Sequence, residues 1–279
     1  MRKYLALIGV LSGLEIALVL YLSFWREAFW SDVTVKNLHG FTNQLLIFTV
    51  VALILCLITG CSGYVASLTA IEWRKKLNSR ATLIGSDNKI ENVNQRIQED
   101  CRDYPTLVIN IGVGTVKAIT YVIVFAISLI YNFSVIYLII ISVYTLLSTL
   151  LAKKIADPLI SLNYRTQQAE ATYRNNLQGS NKKLIALSFT NCISIMLQLA
   201  KKTKHLQYFQ SLYGQVGVII PIIIVAPAYF IGSMTFGLLM QATNTMSIIT
   251  DNLSFGITSF NDINRLLSCR KRLKEINLL

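Results

Sequence analysis

The sequence predicts an all-α integral membrane protein with six transmembrane helices, and two observations support this prediction. The chain has 279 residues, of which 53% are hydrophobic and only 14% are charged, and its mean hydropathy is +0.52. The apolar residues occur in blocks of about twenty, which is long enough to cross roughly 30 Å of hydrocarbon as a helix. A soluble domain of this length would carry more charge and shorter amphipathic segments.

Six apolar blocks define the predicted spans, which together form one transmembrane domain covering residues 1–279. The spans lie at about 4–24, 44–70, 106–131, 133–152, 214–231 and 234–262. The first block is too long for the apolar core of a signal peptide and contains Glu15, so we interpret it as a retained helix. Two long polar connections, 71–105 and 153–213, follow helical patterns and predict helical extensions beyond the bilayer.

The distribution of basic residues predicts the orientation of these spans. Lys and Arg number two before the first span, seven in 71–105, nine in 153–213 and five after Asp262, against two in the first outer connection. By the positive-inside rule, both termini and the two long connections are cytoplasmic. Basic loops beside anionic lipid also account for the net charge of +12, so no nucleic-acid partner is expected.

The sequence offers no pattern typical of a metal, a cofactor or an ATP site. The five cysteines form no CxxC pair and have no ligand spacing with His39 or His205, so neither a metal centre nor a disulfide framework is predicted. No GxxxxGK[ST] phosphate loop occurs in these 279 residues. We therefore expect no enzymatic activity on this chain and no cofactor.

Four blocks in order carry a family resemblance. The run from Pro221 to Gln241 (PIIIVAPAYFIGSMTFGLLMQ) is similar to the hairpin between the fifth and sixth helices of SbmA/BacA-like peptide transporters, which also occurs in ABC transporter membrane domains. The other blocks are the aromatic group Trp25 and Phe29-Trp30, the segment Glu72-Trp73-Arg74 with the later NQRIQED, and the segment Glu170-Ala-Thr-Tyr173-Arg174. Together they cover the chain from about Trp25 to Leu273.

The resemblance implies a six-helix membrane domain of the ABC-exporter type (type IV), with long cytoplasmic helical extensions. It also implies a domain-swapped homodimer in the inner membrane of a bacterium, with helices four and five exchanged. The implied function is proton-driven uptake of peptides or peptide-like compounds by alternating access.

Two alternatives to this function remain open. The chain could be the membrane-domain subunit of an ABC transporter that a separately encoded ATPase powers, or a truncated membrane scaffold that transports nothing. Two departures from the family keep the second alternative open. The chain lacks the extra N-terminal helix of full-length relatives, and it has Lys182-Lys183 and Thr190-Asn191 where many relatives are acidic.

Three acidic residues are candidates for proton coupling. Glu15 lies well inside span one and Asp251 lies within span six, and a carboxylate at such a depth is costly when charged and therefore often functional. The resemblance adds Glu170, which matches an acidic position of the family near the inner mouth. As alternatives, Glu15 could be solvated near an interface and Asp251 could lie below the bilayer.

Polar residues on one face of spans three and six predict a cavity lining. Helix–helix hydrogen bonding without substrate contact is the alternative. We expect Lys117 to face Asp251 or Glu15. The candidates are Asn110, Lys117, Tyr121, Gln241, Asn244, Asp251 and Asn252.

Two further sets complete the candidate sites. The resemblance places a coupling motif in the cytoplasmic loops, with a salt-bridged structural bundle as its alternative, and this motif consists of Asn94, Gln95, Arg96, Glu99, Asp100, Glu170, Tyr173 and Arg174. Proline removes a backbone donor and glycine gives the backbone more freedom, so both predict hinges, with static kinks as the alternative. The hinge candidates are Pro221, Pro227, Gly232 and Gly237.

Overall fold

The computed structural model describes residues 2–84, 93–179 and 181–275 together with Leu278. The described residues form helices joined by short turns, and no strand occurs among them, which confirms the all-α prediction. The helices are α1 (Arg2–Thr34), α2 (Leu38–Ile84), α3 (Val93–Asn132), α4 (Val135–Leu177), α5 (Lys182–Phe230), α6 (Phe236–Leu253), α7 (Phe255–Thr258) and α8 (Phe260–Glu275).

Helices α1 to α5 are each long and apolar enough to cross a membrane, so the chain is a multi-pass membrane protein. Several of these helices also continue past the predicted spans. Helix α2 continues from its apolar block as far as Ile84, and α4 continues to Leu177. The long connections predicted at 71–105 and 153–213 are therefore largely continuations of the spans in the part of the chain that the structure describes.

The sixth predicted span differs from the structure. We predicted one apolar helix over 234–262, whereas α6 ends at Leu253 and is followed by the short α7 and then by α8. Ser254 caps α6, and its hydroxyl donates to the Thr250 carbonyl at 2.7 Å. Polar residues such as Gln241 and Asn244 lower the hydropathy of α6, which is not among the helices apolar enough to span on their own.

The chain divides into two compact units. Unit 1 comprises Met1–Ile141 and Pro221–Leu279, and unit 2 comprises Ser142–Ile220. In unit 1, α6 packs against α1 and α3, and α3 also contacts α2 and α8. Helix α6 is thus a polar helix enclosed by apolar ones, which explains how its side chains are kept away from lipid.

An aromatic group joins the ends of α1, α2 and α6 in unit 1. The Trp25 ring lies 5.0 Å from Phe48 of α2, and the Trp30 ring lies 5.6 Å from Phe236 at the start of α6. The Trp25 indole also donates to the Gln44 carbonyl at 2.9 Å. These aromatic residues fix the connection between α1 and α2 and the entry into α6 at one end of the bundle.

Unit 2 is an antiparallel hairpin formed by the parts of α4 and α5 that it contains. Near one end the Tyr144 and Tyr213 rings stack with centroids 5.5 Å apart. Nearer the tip, the Tyr173 and Phe189 rings lie 5.2 Å apart. Ala169 is buried with Cys192 and Ile195 between these two ring contacts, so the two helices pack against each other along the hairpin.

The approach of α6 to α1 depends on Gly237. A Cβ atom at this position would overlap the Glu27 carbonyl oxygen and the Ser31 hydroxyl. We expect Gly237→Ala to lower the free energy of unfolding by about 1–3 kcal/mol, since overpacking against backbone forces the helices apart. Gly217→Ala is the matched control, because nothing lies within 4 Å of a Cβ there. Thermal unfolding in detergent measures both, and equal midpoints would contradict this packing role.

Candidate functional site

An ion pair links α1 and α3 within unit 1. The Lys117 ammonium donates to the Glu15 carboxylate with 2.6 Å between Nζ and Oε2. Their side chains are 20% and 16% exposed, respectively. Tyr121, one turn further along α3, also interacts with the Glu15 carboxylate. Of the two partners expected for Lys117, the structure therefore places Glu15 against it.

The ion pair lies near the middle of both helices. Glu15 is 13 residues from Arg2 and 11 from Arg26, or about 20 Å and 17 Å of helix. Lys117 is 14 residues from Asp103 and 15 from Asn132, or about 21 Å and 22 Å. A lone charge at this depth is costly, and pairing makes the two groups neutral as a unit.

The buried face of α6 adds unsatisfied hydrogen-bonding capacity to unit 1. The Thr245 and Ser23 hydroxyls form a buried hydrogen bond at 3.0 Å between α6 and α1. One turn before Thr245, Gln241 is only 1% exposed, and its amide nitrogen has no partner among the described residues. An unpaired buried donor costs about 1–3 kcal/mol, so Gln241 is a polar group whose burial no described residue offsets.

The remaining cavity candidates occupy different environments. Asn244 is half-buried on α6, whereas Asn110 on α3 is exposed. The Asn252 amide donates to the Ile248 carbonyl of its own helix at 2.8 Å. Asp251 is exposed in the last turn of α6, and no ion pair of Asp251 occurs in the described part of the chain. The structure thus brings together Glu15, Lys117 and Tyr121, but not all seven candidates.

The acidic candidate Glu170 belongs to unit 2, whereas Glu15 and Asp251 belong to unit 1. Glu170 is exposed on α4. Its neighbour in the motif, Tyr173, packs against Phe189 and helps to join α4 to α5. Arg174 is exposed in the last turn of α4.

A second charged cluster lies where α3 meets α8. Asp100 is 3% exposed. Its carboxylate accepts two hydrogen bonds from the Arg272 guanidinium, at 2.8 Å from Nε and 2.6 Å from Nη2. Asp103 forms ion pairs with Arg265 and Arg102. Beside these ion pairs, an apolar core formed by Leu77, Ala81, Cys101, Leu273 and Leu278 is flanked by Trp73 and Tyr104.

Within the predicted coupling motif, Asp100 therefore anchors α8 to α3. Glu99 is exposed, and the side chains of Asn94, Gln95 and Arg96 lie outside the described residues. Arg265 and Arg272 were not among the residues predicted for this site. Arg265 and Arg272 are seven residues apart, which puts them on one face of α8, and Asp100 and Asp103 are three apart on α3. This matching spacing of basic and acidic residues is the signal that could have identified the arginines.

Burial and charge shift the pKa values of two groups in this cluster. Hydrogen bonding to Asp100 raises the pKa of the Arg272 guanidinium above its usual range. Burial, assisted by the Asp100 carboxylate, raises the pKa of the Cys269 thiol to about 11. Arg272 opposes this shift of the thiol, so Asp100 and Arg272 act on Cys269 with opposite signs.

The four hinge candidates have different surroundings. Pro221 is buried and Pro227 is exposed, and α5 is continuous through both. Gly232 has a φ of +83°, which favours glycine in the turn between α5 and α6. Gly237 is buried against α1, so its small size serves packing at that position.

The Glu15–Lys117 pair predicts a non-additive mutational pattern. Glu15→Gln and Lys117→Met each leave one charge unpaired inside the bundle, and we expect each to destabilise the protein by about 3 kcal/mol. The double variant E15Q/K117M should be more stable than either single variant. Thermal unfolding in detergent measures the stability of the wild type, both single variants and the double variant. Lys3→Met, at an exposed position, is the control. Additive losses in the double variant would show that the two charges are uncoupled.

The opposite effects of Asp100 and Arg272 on Cys269 predict opposite changes in thiol reactivity. Both Asp100→Asn and Arg272→Gln break the ion pair and should lower the unfolding midpoint. Only Asp100→Asn removes the negative charge that raises the thiol pKa, so alkylation of Cys269 at pH 8 should be faster in this variant than in Arg272→Gln. Mass spectrometry after timed alkylation measures both rates. Equal acceleration would indicate that local opening alone controls access.

Comparison of the sequence with known proteins identifies the family of this chain. Residues 20–278 match the sequence pattern of the SbmA/BacA-like family. The chain is 22% identical to the inner membrane ABC transporter ATP-binding protein YddA of Escherichia coli K12, over 93% of this chain and 54% of the relative. It is 21% identical to the chloroplastic ABC transporter D family member 2 of Arabidopsis thaliana, over 91% of this chain and 40% of the relative.

An uncharacterised ABC transporter ATP-binding protein of Haemophilus influenzae is 24% identical over 85% of this chain and 46% of its own length. The chain thus spans about half the length of the curated relatives it matches. These similarities and the apolar helices identify a membrane transporter. Since the family pattern covers nearly the whole sequence, the chain belongs to the SbmA/BacA-like family.

Proposed function

We propose that this chain forms the membrane pathway for proton-driven uptake of peptides or peptide-like compounds. The observation that carries the proposal is the Glu15–Lys117 ion pair near the middle of two apolar helices. A carboxylate and an ammonium at such a depth are costly to maintain and are typically functional. The buried polar face of α6, with the unpaired Gln241 amide, supplies further hydrogen-bonding groups inside the same unit.

In this proposal the ion pair couples proton binding to movement of the helices. A proton on Glu15 removes the negative charge and leaves Lys117 without a counter-ion inside the bundle. The helix contact between α1 and α3 is then weakened, and release of the proton on the other side restores it. Glu170 and Asp251 are the other acidic candidates for proton binding.

We propose the transporting species to be a homodimer in a bacterial inner membrane, with six spans in each chain and both termini cytoplasmic. Support comes from the part of α5 that pairs with the polar end of α4. There Leu184, Leu187 and Leu197 are 48%, 72% and 58% exposed. Because the adjacent stretch of α4 is polar, lipid does not cover these side chains, and an apolar face of this kind favours a protein partner.

A second candidate is a membrane subunit powered by a separate ATPase. The observation that favours it is the similarity to relatives named as ABC transporter ATP-binding proteins, which are about twice as long as the matched region. The cluster of Asp100, Arg265 and Arg272 would then hold the inner ends of the helices in the arrangement that an ATPase contacts.

Uptake by purified protein in liposomes tests the first candidate. We expect a labelled proline-rich peptide to accumulate under an inward proton gradient, without ATP or a second protein, and an uncoupler to abolish accumulation. Glu15→Gln should reduce the rate at least tenfold. Parallel variants Glu170→Gln and Asp251→Asn rank the other acidic positions, and wild-type uptake in all three would exclude the acidic relay.

The same preparation distinguishes the alternatives. Uptake that is absent with a gradient but appears with ATP and a partner ATPase would favour the second candidate. A stable, folded protein that transports under neither condition would indicate a membrane scaffold.

A further inference from the structure

Unit 2 concentrates basic side chains at one level of its hairpin. On α4, Lys153 and Lys154 are both exposed, and on α5, Lys201, Lys202, Lys204 and His205 are also exposed. We call these six residues the basic cluster. Asp157 is the exposed acidic residue of α4 at this level, so the cluster retains a clear excess of positive charge.

Two ring contacts locate the two parts of the basic cluster along the hairpin axis. Counting from the stacked pair Tyr144 and Tyr213, Lys153 and Lys154 lie level with residues 203–204 of α5. Counting instead from Tyr173 and Phe189, they lie level with residues 208–209. The lysines of the two helices are therefore separated along the hairpin axis by at most about 12 Å.

The basic cluster adjoins the apolar runs of α4 and α5 that lead away from the hairpin tip. On α4, the apolar run from Val135 to Ala152 spans about 27 Å of helix and stops immediately before Lys153. On α5, the residues after His205 become mainly apolar towards Phe230. In the direction away from the hairpin tip, both helices thus change from basic to apolar within about 12 Å of each other along the axis, as expected at a boundary between hydrocarbon and headgroups.

Aromatic side chains mark the same boundary. Tyr208 is 65% exposed, and the Lys204 ammonium lies 5.8 Å from the centroid of its ring. Tyr is enriched at membrane interfaces because its ring contacts acyl chains while its hydroxyl remains hydrated. An exposed Tyr next to a basic cluster is a composition that anionic headgroups attract.

We propose that the basic cluster is a binding site for the phosphate headgroups of anionic phospholipids. The proposal goes beyond the transport function and does not depend on which energy source drives it. Phosphatidylglycerol is the appropriate probe, since its headgroup carries the net negative charge that phosphatidylcholine lacks. Its acyl chains would lie along the exposed apolar side chains of α4 and α5, including Leu150 and Leu212.

Native mass spectrometry of the full chain in detergent tests the proposal. Phosphatidylglycerol should bind at least fivefold more than phosphatidylcholine. The variant K153Q/K154Q should bind phosphatidylglycerol several-fold less than the wild type. The fourfold variant that adds K202Q/K204Q should bind the two lipids equally. The matched control is K182Q/K183Q, which removes an adjacent pair of exposed lysines from the distant tip of the same hairpin and should leave binding unchanged.

Three results would overturn the proposal. These are equal binding of the two lipids, equal losses in K153Q/K154Q and K182Q/K183Q, or displacement of phosphatidylglycerol by millimolar inorganic phosphate alone. The variant K153R/K154R keeps the charges and should retain binding. Circular dichroism and size-exclusion chromatography establish that each variant is folded, so that loss of binding reflects the changed charges.

Discussion

The neutral ion pair between Glu15 and Lys117 is the constraint on which the arrangement of unit 1 depends. Two apolar helices carry opposite charges near their middles, and each charge is tolerable there only beside the other. The pair therefore fixes how α1 and α3 face each other, and both helices contact α6. The polar side chains of α6 can then be buried between them instead of facing lipid.

Packing and electrostatics support each other along this bundle. Near one end, Gly237 allows α6 to approach the α1 backbone, and rings including Trp30 and Phe236 fill the surrounding space. Where α3 meets α8, the bidentate contact between Asp100 and Arg272 attaches α8. The ion pair between Glu15 and Lys117 thus lies between two structural anchors.

Much of the fold could be predicted because its signals are local. Apolar block length predicts the spans of α1 to α5, and helical periodicity predicts their extensions, since both depend only on neighbouring residues. The sixth span was predicted less well. The polar residues of α6 are stable because other helices cover them, and the break at Ser254 depends on how α7 and α8 continue. The candidate list for the site included Glu15, Lys117 and Tyr121, but it could not select them from the other polar residues.

The sequence by itself determined that this protein is helical, membrane-embedded and a member of a transporter family, because composition, periodicity and ordered motifs carry that information. Only the tertiary structure decided which charges pair. It joined Lys117 to Glu15 instead of Asp251, and Asp100 to Arg272 across 172 positions of the chain. Such choices depend on helix contacts distant in sequence, where distance and burial, rather than residue type, decide which partner each charge meets.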